Sequence, residues 1–349
     1  MAAVVDTADA AAAAAEEPSS DVVPNADPAV WRGVLGDDYE AIQELIDLTD
    51  PEATKSQAII DIYNGVPQDK DKKNKTADEA PPTPPDENTM RRCIEDHRAL
   101  RASLTNAIRF YHARQGDVPA ASRQLARHLL WRAERNMQLE ARQTAAASAG
   151  EGAADAEAMS VGEARSSHIP RELMEEGSFK AAGRDKQGRP ILCVRARLWQ
   201  PGRFAEADEE EFAMYMLDHI EMKMNGSKTE SEWANKTPVG EQWVVLFDMT
   251  KWTTANSDIA TVKRLIKILV VHYPDRLGMA IIFNAPFLFS AVWAIISPFL
   301  EEVTRKKVLF VKNNRDGSVN QQLAAVIDPE DLEEDFGGSH AQYPSPAFV

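Results

Sequence analysis

Cysteine is almost absent. Cys93 and Cys193 stand far apart, with no CxxC and no Cys/His cluster. That excludes a disulfide framework and a zinc module, and two buried thiols in a reducing compartment are expected. A basic excess is missing as well. The net charge is −16, so the broad cationic face of a general nucleic-acid binder is not there. Seven histidines fall in no triad or metal-ligand spacing. GxSxG, a phosphate-cradling Gly-rich loop and the dinucleotide fingerprint do not occur. No catalytic residue, metal or cofactor is therefore expected. An unfamiliar α/β enzyme using Asp248 at a strand end is the rival. The opening "MAAVVDTADAAAAAAEEP" has no basic stretch and "SPAFV" carries no lipidation signal, which predicts a cytosolic protein.

The acidity is local. Residues 1–89 hold 20 acidic against 6 basic residues, a net of −14, and the remainder holds 35 against 33, a net of −2. The Ala-rich start predicts a disordered arm. "YEAIQELIDL" then sets Tyr39, Ile42, Leu45, Ile46 and Leu48 on one side of a helix. "QAIIDIYNGVP" predicts a second short helix, stopped by Gly65 and Pro67. This pair is either a docking element for a protein partner or an accessory pair packing on its own domain. "DKDKKNKTADEAPPTPPDE" reads as a mobile linker, with a polyproline ligand as the alternative.

Residues 89–140 predict a small helical bundle. Leu104, Ile108 and Tyr111, then Leu125, Leu129 and Leu130, keep helical spacing, and "GDVP" interrupts them. After a low-complexity stretch the pattern changes. "RPILCVRARLW", "EQWVVLFDM", "GMAIIFN" and "KKVLFVK" predict strands, and "GRDKQGRP" predicts a hairpin or the start of a strand. Helices are predicted at "EEEFAMYMLDHIEMKM", at "NSDIATVKRLIKILVVHYP" (begun by Asn256 or Ser257), at "PFLFSAVWAIIS" and in the tail. The alternation implies an α/β layer with a mostly parallel sheet.

One long stretch lacks charge altogether, from Leu277 to Leu300. It is long enough for a membrane span, yet Pro286 and Pro298 divide it. The helix between them, about 287 to 297, is roughly 16 Å long against a hydrocarbon core of about 30 Å. Strand, turn and short helix is the better division. That helix is apolar almost all round, so it is either a buried core helix or the cover of an apolar cavity.

Several motifs in this half occur together. "DMTKW" follows a strand, and "HYPDRLG", "NAPFLFSAVW", "ISPFLEEVTRKK" and "IDPEDLEEDFGG" follow in order. With "DKQGRPILCVR" and "LTNAIRFYHARQGDVPAASRQLARHLLWR" upstream, the chain from about 90 to 340 resembles the CRAL-TRIO, or Sec14-like, lipid-binding domain. The resemblance implies a helical lobe followed by an apolar pocket over a sheet floor, gated by a mobile helix at about Phe287–Phe299. It divides the chain into a 1–30 arm, 31–88 accessory helices and linker, an 89–142 helical lobe, a 143–164 linker and a 165–340 lipid lobe. Phe287, Phe289, Trp293, Ile296, Phe299, Val245 and Trp243 are the implied pocket and gate residues.

Three positions meet the inositol phosphate in phosphatidylinositol-binding members, and they fall on Arg114, Asp275 and Lys307. Asp275 replaces the family's usual Glu, and Gln115 stands where a second basic residue is common. The plain alternative is that all three are ion pairs joining the lobes. Where phosphatidylcholine binders carry small hydroxyl residues, this chain has Trp243 and Val245, so a second cargo would be more apolar, such as a sterol. Glu333 stands where Pro is common, with only a local effect expected. The resemblance implies a phospholipid or other lipid ligand, transient contact with a membrane surface, and a monomer at the cytoplasmic side. A partner for the acidic arm, no nucleic acid, and a lipid-sensing adaptor as the other role complete these expectations.

Overall fold

Apolar spacing fixes the helices of the first half. The computed structural model describes residues 28–64, 84–148, 169–226, 229–234, 237–314 and 316–343. The acidic arm up to residue 27, the linker at 65–83 and the low-complexity stretch at 149–168 lie outside them. Helices α1 (Pro28–Leu35), α2 (Asp38–Leu48) and α3 (Gln57–Tyr63) precede α4 (Glu87–Ser103), α5 (Thr105–Ala113) and α6 (Val118–Ser148). In α2 Tyr39, Ile42, Leu45 and Ile46 of the expected stripe are buried, and Leu48 is half-buried. The four buried residues share one core with Leu104, Ile108, Phe110 and Leu125, so α1 and α2 pack on their own domain. Ile59, Ile62 and Tyr63 of α3 pack with Ala126 of α6. Helix α6 continues to Ser148, past the boundary expected at 142. Both thiols are free and buried, and burial pushes each up to about 12.

A short helix α7 (Arg171–Glu175) leads into the sheet. The strands are β1 (Phe179–Arg184), β2 (Pro190–Arg195), β3 (Trp243–Asp248), β4 (Leu277–Phe283) and β5 (Val308–Val311), in spatial order 1-2-3-4-5. β1 pairs antiparallel with β2, and the other three pairings are parallel. The strand pattern in the sequence begins only at β2, and β1 carries no such signal. "FKAAGR" is short and Ala-rich, and Gly183 has φ 69° beside a register shift against β2. Its Cβ would run into the Tyr343 hydroxyl, so a side chain does not fit there. The predicted hairpin is present: Asp185 Oδ1 accepts from the amides of Gln187 at 3.1 Å and Arg189 at 2.8 Å.

Between strands lie α8 (Glu206–Met222), α9 (Ile259–His272), α10 (Phe289–Ile296), α11 (Glu302–Lys306) and, after β5, α12 (Gln321–Ala324). Period-two alternation gives the sheet two faces. Ile191, Cys193, Val244, Leu246, Ile281 and Phe283 pack under the C-terminal tail with Leu332 and Phe336. Leu192, Val245 and Ile282 point the other way, toward α8, α9 and α10. Two local expectations change. Helix α9 is capped by Asp258, whose carboxylate accepts from the Thr261 amide at 2.9 Å, rather than by Asn256 or Ser257. Asn256 instead donates to the carbonyls of Arg197 and Trp199 at 3.0 and 2.9 Å. Glu333 acts beyond its neighbourhood: it is buried, takes Lys180 of β1 at 2.9 Å and also pairs with Arg195 of β2. Its carboxylate, which burial would raise, is held below its ordinary value chiefly by the Lys180 hydrogen bond.

The two lobes meet through an aromatic stack. His272 at the end of α9 lies 4.1 Å from Trp131 of α6, ring over ring, with His128 at 5.8 Å. Burial lowers both imidazoles. His272, with Lys267 and Arg127 nearby, falls to about 3. His128 is lowered further by His272, Arg132, Arg109 and Arg276. The folded chain keeps them neutral while the unfolded chain protonates near 6.5, so this pair subtracts stability as pH falls below that value. His272→Phe, which keeps the stack, is expected to gain about 1–2 kcal/mol relative to the parent between pH 7.5 and pH 5. Urea midpoints at the two values check this. A difference that does not change with pH would show that His272 is not held neutral.

Candidate ligand-binding site

The face of the sheet turned to α8, α9 and α10 does not close up. It leaves a cavity of about 520 Å³, within the range of small-molecule sites. Its floor is Leu192 and Val194 of β2, Val245 and Phe247 of β3, and Ala280 and Ile282 of β4. Leu265, Ile266 and Leu269 of α9 form a wall, at the three-to-four spacing of one helix face. The lining is overwhelmingly apolar, so water inside gains few hydrogen bonds and an apolar occupant is favoured.

Helix α10 covers the cavity. Phe289, Val292, Trp293 and Ile296, at i, i+3, i+4 and i+7, face inward. Phe289 meets Trp252 edge-on at 5.9 Å, and Trp293 meets Phe310 edge-on at 5.4 Å. The opposite side is apolar as well but faces solvent. Phe287 is 91% exposed, Leu288 63% and Phe299 51%. Of the seven apolar residues expected at this site, Trp243, Val245, Phe289, Trp293 and Ile296 line the cavity, and Phe287 and Phe299 do not. The helix runs over Phe289–Ile296, shorter than the expected 287–297. Phe287 therefore lies in the turn before it, where the Pro286 carbonyl accepts from the Phe289 amide at 2.9 Å. Phe299 lies in the turn after it, with the Lys263 ammonium 4.8 Å from its ring. Among the described residues no helix is long and apolar enough to cross a membrane. The uncharged stretch is strand, turn and cover.

Arg114, Asp275 and Lys307 line the end of the cavity where β4 and β5 begin. Arg114 follows α5, Asp275 precedes β4 and Lys307 precedes β5, so three distant segments converge. Lys307 Nζ donates to Asp275 Oδ1 at 3.3 Å and to the Leu277 carbonyl at 2.7 Å. Asp275 sits at φ 59°, an uncommon conformation for a residue with a side chain, and Thr237 donates its hydroxyl to Oδ2 at 2.9 Å. Arg114 pairs with Glu301 at 3.1 Å and donates to Gln124 through Nε. Gln124 in turn donates to the last carbonyls of α9, Val270 at 2.9 Å and Val271 at 3.0 Å.

Both cations thus face carboxylates, which suits a ligand carrying an anionic group together with hydroxyls. The cavity also takes in His112, whose imidazole burial lowers below its ordinary value. Glu301, Gln124, Thr237 and His112 were not singled out from the sequence. Glu301 stood inside the quoted "ISPFLEEVTRKK". His112 and Gln124 lie inside the quoted "LTNAIRFYHARQGDVPAASRQLARHLLWR", and Thr237 lies in no quoted motif.

Comparison with known proteins now adds to this geometry. Residues 174–338 match the model of the CRAL/TRIO domain. A CRAL-TRIO domain-containing protein of Schizosaccharomyces pombe is 30% identical over 249 residues, covering 68% of this chain and 47% of that protein. Phosphatidylinositol transfer protein CSR1 of Eremothecium gossypii is 29% identical over 242 residues, covering 69% and 48%. The chain spans about half the length of these curated relatives. Among solved structures, Sfh5 aligns over 88% of this chain and 90% of its own, with 15% identity and a TM-score of 0.47.

Proposed function

Because the chain carries a CRAL/TRIO domain at residues 174–338, a lipid-binding domain, we propose that it holds a phospholipid, with phosphatidylinositol preferred, and exchanges or presents it between membranes. The observation that carries this reading is the lidded apolar cavity with Arg114, Asp275 and Lys307 gathered at one end. Acyl chains lie on the sheet floor under α10. The phosphate takes Lys307 and Arg114, and inositol hydroxyls donate to Asp275 and Glu301. A relative that is named a phosphatidylinositol transfer protein supports the same cargo.

Energetics require such a cavity. Each CH₂ moved from a bilayer into water costs about 0.8 kcal/mol. A two-chain lipid with about 30 methylenes would cost on the order of 24 kcal/mol to extract bare. An apolar cavity replaces the bilayer around the part of the chains it encloses, and that part of the cost does not arise. The exposed Phe287, Leu288 and Phe299 fit the role of a membrane-touching face when α10 opens. The protein works as a monomeric carrier at the cytoplasmic face of a membrane, peripherally bound, rather than as an enzyme.

A sterol or other apolar cargo is the second reading. Trp243 and Val245 keep β3 apolar, and each cation at the polar end already has a carboxylate. Transfer between vesicles decides between the two. Phosphatidylinositol is expected to move about tenfold or more faster than phosphatidylcholine, the value of one charge-assisted contact. Rapid sterol transfer with no phosphatidylinositol transfer would overturn the head-group assignment.

A further inference from the structure

Between α8 and β3 the chain departs at Gly226 and returns at Gly240. The Gly226 amide donates to the Gly240 carbonyl at 3.1 Å. A Cβ on Gly240 would collide with the Gly226 carbonyl, so glycine is what lets the two arms of this neck pass. Two described residues of this segment make contacts outside it. Trp233 is fully buried in the core of the helical lobe, in one cluster with Trp31, Leu35 and Tyr39 of α1 and α2. Thr237, also buried, donates its hydroxyl to Asp275 Oδ2 at 2.9 Å.

That second contact bears on the polar end of the cavity. Lys307 reaches only the other oxygen, Oδ1, at 3.3 Å. This is looser than the roughly 2.7–2.9 Å of a close charge-assisted bond. Two of the three ammonium donors go to Asp275 and the Leu277 carbonyl, and the third is the one a phosphate oxygen would take. Thr237 occupies Oδ2 and fixes the carboxylate plane, so Lys307 meets one oxygen rather than two. Asp275, at φ 59°, sits in a corner that its surroundings must hold in place.

We propose that Thr237 is a positioning residue that sets head-group specificity, and that α1 and α2 hold it in place through Trp233. This rests on the reading that Asp275 and Lys307 meet the head group. Without the hydroxyl, the carboxylate turns both oxygens to Lys307, and the tightened pair withdraws the ammonium from phosphate. Cargo without an anionic head group is indifferent to the change. The accessory helices thereby act on cargo choice while lying outside the cavity.

The test is a competition. Full-length protein is loaded from vesicles holding equal phosphatidylinositol and cholesterol, and bound lipids are counted by mass spectrometry. Thr237→Val is expected to lower the phosphatidylinositol-to-cholesterol ratio about tenfold, with total loading unchanged, and Thr237→Ser to restore it. Trp31→Ala shifts the ratio in the same direction. An unchanged ratio in Thr237→Val, equal loss of both lipids, or no rescue by Ser would overturn the positioning role. An unchanged ratio in Trp31→Ala would overturn the part given to the helices. Lys307→Ala separates the two levels. If it too leaves the ratio unchanged, the head-group reading falls and the proposal with it. If it shifts the ratio while Thr237→Val does not, only the positioning role fails.

Discussion

A Trp293→Asp protein is expected to fold and to melt within a few degrees of the parent, yet to extract every lipid cargo about a hundredfold more slowly or worse. Trp293 faces the cavity from α10, so the substitution places a carboxylate against the acyl chains. Burying an unpaired charge costs several kcal/mol, and Trp293 packs in an apolar cluster with Met249, Trp252, Ile282, Phe289 and Ile296. The closed, loaded state is lost before the fold is, because an unliganded α10 can leave the carboxylate wet. Its melting temperature and its vesicle-to-vesicle transfer rate check the two halves of this expectation. Transfer of all cargoes at parental rates would remove α10 from the role of cover.

Lys307→Ala carries the second large effect, and it is selective. Loss of the ammonium removes one charged hydrogen bond to phosphate, about 1.5–3 kcal/mol, or roughly 10–100-fold in phosphatidylinositol transfer. Sterol transfer is expected to stay within about twofold, since a sterol carries no phosphate for Lys307 to meet. The side chain is partly exposed, so its ion pair with Asp275 contributes little to folding. Equal loss of every cargo would instead make Lys307 a structural pair between segments.

How much of this was legible before the structure depends on the range of the interactions. β3 and β4 read directly, because "WVVLFD" and "LGMAIIF" are bulky apolar runs, buried along most of β3 and over the second half of β4. Helix α2 read directly too, since four apolar residues repeat at helical spacing. β1 did not, because an edge strand with Ala181, Ala182 and Gly183 carries little apolar signal. Helix α10 was expected from its composition, but its first residue was not. Phe289 faces the cavity, and Phe287, in the turn before the helix, is exposed.

The polar end was half legible. Arg114, Asp275 and Lys307 came from motif resemblance, and the fold brings them together at one end of the cavity. Glu301 as the partner of Arg114 and Thr237 as the partner of Asp275 are contacts across 187 and 38 residues, invisible to any local pattern. The cap of α9 fell on Asp258 rather than its neighbours for a related reason. Asn256 spends its amide on Arg197 and Trp199, a tertiary demand that local preference does not contain.

The central claim is that the cavity under α10 holds a lipid whose head group meets Lys307. Native mass spectrometry of the purified full-length protein, with the bound lipid identified, tests it most directly. The account predicts one phospholipid per chain, enriched in phosphatidylinositol and depleted of it in Lys307→Ala. A protein that is empty as purified and takes up no lipid from offered vesicles would contradict it.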